Sequence, residues 1–195
     1  MSKSADIAAL DGRHARSERS KLAIIDAALA LIAEGNLIPT AQQISSKAGV
    51  GIRSFFRHFE DMETLFATID DHVRENTENM FLGGDRSGTL DERILHAVER
   101  HADGYEDERN LALSTSVQLW HSETLRKNYA RYQRGLRKDL DNWLPELKRL
   151  TRSEREALDA VASFEMWHRL RYHQGLGKRA AINVVVAIMK SILGA

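Results

Sequence analysis

Between residues 51 and 59 the sequence Gly-Ile-Arg-Ser-Phe-Phe-Arg-His-Phe sets hydrogen-bond donors among large apolar side chains. At helical spacing Ile52, Phe55 and Phe59 share one face, and Arg53, Ser54, Arg57 and His58 are left on the other. Guanidinium, hydroxyl and imidazole groups gathered on one face can hold phosphate oxygens, and a guanidinium can also grip the edge of a guanine. This is the chemistry of recognition rather than of turnover.

Other constellations are weaker. Glu165-x-x-His168 has the spacing used by carboxylate-bridged di-iron bundles, but such a site needs a second pair on another helix. The further match, Asp11-x-x-His14, lies in a stretch without helical periodicity, so His168 is read as a surface or pocket residue. No nucleophile elbow, phosphate loop, zinc spacing or dinucleotide fingerprint occurs. No metal, cofactor or catalytic residue is expected, and the chain is not read as an enzyme.

The elements that must present the donor face lie just upstream. Thr40 can cap a helix while Gln43 reaches back three residues to complete a capping box, and Pro39 stops any earlier helix from running through. Ala41, Ile44 and Ala48 then fall on one face. Gly49 supplies the left-handed conformation of a sharp turn, Val50 plugs the angle, and a second helix runs over about Gly51 to Phe56. Helical corners of this kind are common in α proteins.

What singles this one out is the run Ala48-Gly49-Val50-Gly51-Ile52-Arg53-Ser54-Phe55-Phe56-Arg57-His58-Phe59, followed by Glu63 and Leu65-Phe66. It resembles the DNA-binding signature of the TetR family of repressors over roughly residues 19 to 66. The resemblance implies DNA contacts from Thr40, Gln42, Gln43, Gly51, Ile52, Arg53, Ser54, Phe56, Arg57 and His58. Among them Arg53 is expected to read a base, and Arg57, His58 and the Thr40 end to hold phosphates. The sequence departs from the family pattern where Phe56 replaces the usual Tyr and Met62 a common Lys, each losing a phosphate-contacting group. Gly51 replaces a Ser or Thr and Arg53 a small residue, so the recognition helix is expected to be less firmly capped and better equipped to read a base.

The remaining chain is helical in pattern, with no strand alternation and no internal repeat. Helices are expected over about Arg19 to Glu34, from an Asp61 cap to Met80-Phe81, after a Thr89/Glu92 capping box, and over about Asp107 to Leu119. Further helices follow at Ser122 to Trp143, with a kinked last turn after Pro145, at Ser153 to about Gln174, and at about Arg179 to Leu193. In the first, Leu22, Ile25, Ala28, Leu29 and Ile32 form the apolar stripe. Residues 1 to 17 lack periodicity and are expected to form a flexible arm. Its Arg13 and Arg16, with Arg19 and Lys21 beyond, could follow a phosphate backbone or merely keep the chain soluble.

The 195 residues carry 28 basic and 28 acidic side chains, which excludes a general polyanion coat but not a local basic patch. With no cysteine there is neither a disulfide framework nor a thiolate site, in keeping with a cytoplasmic protein. No segment is long and apolar enough to span a membrane, and Ile7 to Leu10 is too short for a signal-peptide core.

The last helix is apolar nearly all round, through Ile182, Val184, Val185, Val186, Ile188, Met189, Ile192 and Leu193, and must be covered on more than one side. A second copy is the simplest second cover, with a fully internal helix as the alternative; the family resemblance implies a dimer through the last two helices, and Val185 and Met189 are expected in its contact. Trp120, His121, Phe164, Trp167 and His168 are candidate ligand-binding residues, with plain core filling as the alternative. They suit a small hydrophobic effector, and no basic cradle for a phosphorylated one is apparent. The chain is thus read as all-α, with an arm (1–17), a helix-turn-helix domain (18–66) and a ligand-binding and dimerisation domain (67–195). The expected function is that of a homodimeric TetR-type repressor released from a palindromic DNA operator by its effector. The rivals are a ligand-independent DNA-binding protein and a helical-bundle enzyme or metal-binding protein.

Overall fold

The computed structural model describes the backbone of residues 2–81 and 83–194 and the side chains of residues 14–75 and 83–194. Every regular element among them is helical: α1 (Ser2–Ala33), α2 (Ala41–Ala48), α3 (Ile52–His58), α4 (Met62–Phe81), α5 (Leu90–Asp107), α6 (Arg109–Ser116), α7 (Glu123–Trp143), a 3₁₀ turn (Pro145–Arg149), α8 (Arg152–Val161), α9 (Phe164–His168) with a π turn (Arg169–His173), and α10 (Lys178–Leu193). They form two compact units, Met1–Val73 with Leu113–Arg126, and Arg74–Ala112 with Lys127–Ala195.

In the first unit Ile24, Ile25, Ala28 and Ile32 of α1 are buried with Ile44, Phe55, Phe59, Leu65, Phe66 and Ile69. Burying each of the large side chains stabilises the unit by roughly 1.5–3 kcal/mol relative to exposure. The stripe is rotated from the one expected, since Leu22 is 44% exposed and Ile24 takes its place inside at 0%. The helix also begins far earlier than Arg19, so the backbone of residues 2 to 17 is helical rather than an arm. The Arg13 side chain lies outside the described residues. Residues 113 to 126 join this unit through Ser114, 1% exposed, whose hydroxyl donates to the Leu37 carbonyl at 2.7 Å. That bond satisfies a loop carbonyl which would otherwise be left without an internal partner.

The second unit is built on α5, whose Ile94, Ala97, Val98, Ala102 and Tyr105 face inward. Polar staples fix its register. Asp139, only 5% exposed, accepts from Arg86 Nη2 at 2.7 Å, His101 Nε2 at 3.1 Å and Trp143 Nε1 at 3.1 Å. A carboxylate this enclosed is tolerable because three donors replace its water. Arg155 is likewise buried among Asp141, Asp159 and the Arg137 carbonyl.

Two expectations for this unit are overturned. The helix expected from Ser153 to Gln174 starts on a Thr151/Glu154 capping box and ends at Val161. Ser163 then recaps the chain, accepting from Met166 N at 3.2 Å while donating to the Ala160 carbonyl at 2.8 Å, the local competition that makes serine a helix interrupter. In α10, Val185 and Met189 are 4% and 0% exposed within one chain, packed with Ala181 and Ile182 on the side that meets α5. They belong to the core of their own unit and are not free for a partner. The exposed positions of α10 are Lys178, Arg179, Ala180, Asn183, Ala187 and Ser191.

Candidate nucleic-acid interface

The α2–turn–α3 corner is held by local bonds that its sequence specifies. Thr40, extended at φ −82° and ψ 157°, accepts from Gln43 N at 3.3 Å, and Gln43 Oε1 accepts from Thr40 N at 2.8 Å. At the other end Gly49 sits at φ 67° and ψ 26°, with its N–H donating to Ser46 O at 3.2 Å and that of Val50 to Ser45 O at 3.0 Å. This paired closure needs a left-handed residue at its corner, and glycine adopts that conformation without steric cost. Gly51, at φ −70° and ψ 147°, begins α3 with no side-chain cap, as its lack of a hydroxyl dictates.

α3 is rooted by Phe55 and Phe59, 0% and 1% exposed, with ring centroids 5.8 Å apart. Arg53, Phe56 and Arg57 are exposed, Ile52, Ser54 and His58 are half-buried, and Thr40, Gln42, Gln43 and Gly51 are exposed on the same corner. Arg57 Nη2 donates to Ser54 Oγ at 3.3 Å, which steadies its guanidinium over the helix. The structure therefore brings the sequence-predicted set together on one corner. It also gives some of them work inside the fold, since the Thr40 hydroxyl and the Gln43 carbonyl are occupied in the cap. His58 differs most from expectation. Its Nε2 is buried without a hydrogen-bond partner, and burial first, then the Arg57 charge, holds its pKa below the ordinary 6.5, with Lys21 adding to this and Glu18 opposing it. At neutral pH it is an uncharged ring.

The residues expected around a ligand are dispersed. Trp120 is 83% exposed, His121 is also exposed, and both lie in the turn between α6 and α7 that belongs to the first unit. Both stand on the surface, apart from the residues that line the two hollows of the second unit. Phe164 packs edge-on to Tyr105 with centroids 5.8 Å apart, and His168 stacks on Phe164 at 5.7 Å and on Tyr172 at 5.0 Å. His168 Nδ1 is buried without a hydrogen-bond partner, and burial, then Arg109 and His173, lowers its pKa. Trp167 borders a void of about 20 Å³ with Tyr105, Val185 and Met189, room for a water rather than an organic molecule.

A larger hollow of about 230 Å³ has apolar lining from Tyr105, Leu136, Leu140 and Ala162 and polar lining from Gln133, Arg134, Arg137, Glu156 and Asp159. Arg137 is already paired with Asp159 at 2.7 Å and Glu156 at 3.1 Å. Sequence reasoning missed this hollow, and it missed Glu106, whose carboxylate accepts from Trp167 Nε1 at 3.1 Å, Arg171 Nε at 2.6 Å and Tyr172 OH at 3.0 Å. Burial acts upward on that carboxyl, but the bonds from Arg171 and Tyr172 outweigh it and its pKa lies below the ordinary value. Nothing in the local sequence distinguishes Glu106 from the other surface acids. Among the described residues no cluster of three or more His, Cys, Asp or Glu could hold a metal ion, and no helix is long and apolar enough to cross a membrane.

Residues 24–69 match the family model for bacterial regulatory proteins of the tetR family. A transcriptional regulator from Rhodococcus sp. Rha1 superimposes with a TM-score of 0.66 at 15% identity, covering 91% of this chain and 96% of that one. A regulator assigned to the TetR family, from Mesorhizobium loti, gives 0.66 at 18% identity with 92% and 97% covered. A TetR-family transcription regulator from Marinobacter aquaeolei gives 0.58 at 16% identity with 90% and 97% covered. No curated protein matches the sequence. The helix-turn-helix therefore belongs to the TetR family, and the whole chain has the all-α fold of TetR-type transcriptional regulators.

Proposed function

We propose that this chain is a homodimeric cytoplasmic repressor that binds a short near-palindromic DNA operator through α3 and lets go when a small molecule occupies the second unit. The observation that carries the reading is the exposed Arg53, Phe56 and Arg57 face of α3, rooted on buried aromatics within a TetR-family corner. Binding rather than turnover is its work. The half-buried Val184 and Ile188 beside exposed Ala187 on α10 support a two-fold contact there, in place of the buried Val185 and Met189. For the effector, the hollow bordered by Tyr105, Leu136 and Leu140 suits an apolar body with one polar head, which Gln133 or Arg134 could meet.

Selection of bound duplexes from a random pool tests the reading directly. A palindromic consensus, with affinity falling steeply as salt rises, is the expected result. Failure to enrich any sequence would overturn it. An effector found by thermal stabilisation should weaken operator binding by the same factor as operator weakens its own. Operator affinity unchanged by every stabilising compound would leave the ligand-independent rival standing.

A further inference from the structure

Phe56 is 53% exposed on the recognition helix, with one edge of its ring against the core. It meets Phe55 edge-on, with centroids 5.2 Å apart and planes at 77°, and Phe55 is itself 0% exposed. Phe56 lies three residues after Arg53 and one before Arg57, and all three are exposed, so the phenyl shares the outward face of the helix with guanidinium groups. These charges would draw that face onto a duplex, and they determine what the ring must meet there. A phenyl ring has no donor or acceptor, so it cannot replace water on a phosphate oxygen or on the polar edge of a base. In the major groove the apolar feature that base pairs offer is the C5-methyl group of thymine.

We propose that Phe56 is a specificity-determining residue that selects thymine by packing on its methyl group, beside the base read by Arg53. The inference rests on the DNA-binding reading above and adds to it a particular chemical group on the DNA. The pairing is self-consistent, because a ring held by Phe55 loses little freedom on contact and both partners leave water together. It also gives a physical role to the phenyl at a position where a phenol would instead offer a hydroxyl to a phosphate.

The test uses the full-length protein and the duplex that it selects. Each thymine of one half-site is replaced in turn by deoxyuridine, which removes the methyl and leaves every hydrogen-bonding group in place. At one position the wild-type affinity should fall about three- to fivefold, the worth of one buried methyl. The same replacement should leave Phe56→Ala unaffected. At that position 5-methylcytosine, paired with guanine, should bind wild type better than cytosine does. Indifference of the wild type to deoxyuridine everywhere would overturn the proposal while leaving specific DNA binding intact, and would place the ring on a sugar instead. An equal deoxyuridine penalty in Phe56→Ala would overturn it too. Absence of any selected duplex would remove the DNA-binding reading and this inference together. The deoxyuridine series on the wild type needs no variant to fold.

Discussion

At the scale of single residues, α3 divides its work between groups that can be told apart experimentally. Arg53 reaches out without a role in the local fold, so Arg53→Ala should cost operator binding about 1–3 kcal/mol and relax preference at one base pair. Arg57→Ala should weaken all sequences alike and reduce the slope of log affinity against log salt by about one. Anisotropy titrations at several salt concentrations check both, and unchanged base preference in Arg53→Ala would remove it from readout. His58 behaves differently because burial and the Arg57 charge keep it neutral. Between its lowered folded pKa and the ordinary 6.5 the unfolded chain binds more protons than the folded one, so stability falls as pH drops below about 6.5. Urea titrations across this range should show that loss reduced in His58→Gln. The same variant should keep the wild-type salt slope at pH 7.5, where the ring carries no charge.

At the scale of elements, the corner that presents α3 depends on its two ends. Thr40→Ala removes the hydroxyl that accepts from Gln43 N and should destabilise the first unit by about 1 kcal/mol. Gly49→Ala meets no atom within 4 Å, so its cost is conformational, roughly 1–2 kcal/mol for a side chain at φ 67°. Gly49→Asn should recover part of that, since asparagine visits the left-handed region more readily. Chemical denaturation reads all three, and a Gly49→Ala as stable as wild type would show that the turn can be remade without its left-handed residue.

At the scale of the whole molecule, the inward and outward faces of α10 make opposite predictions. Val185→Glu and Met189→Glu place a charge in the core of their own unit and should unfold it. Ala187→Glu, on the outward side, should instead give a folded monomer by sedimentation with native helical content. A dimer unchanged in Ala187→Glu would put the two-fold contact on another surface.

The α2–turn–α3 corner was legible in the sequence because everything that makes it is local. A cap and its partner lie three residues apart, one glycine turns the chain, and helical spacing alone decides that Phe55 goes in while Arg53 goes out. The second unit was not legible in that way. Whether Trp120 fills a pocket or stands in solvent, whether Val185 faces its own α5 or another copy, and which carboxylate gathers Trp167, Arg171 and Tyr172 all depend on packing between segments tens of residues apart. Nor does composition mark Ser163 as the residue that breaks a long helix, or Ser114 as the one that ties its segment to Leu37 across 77 positions. Periodicity names a helix and its apolar residues, but an apolar helix has more than one side to cover. Only the tertiary structure decides what covers each side.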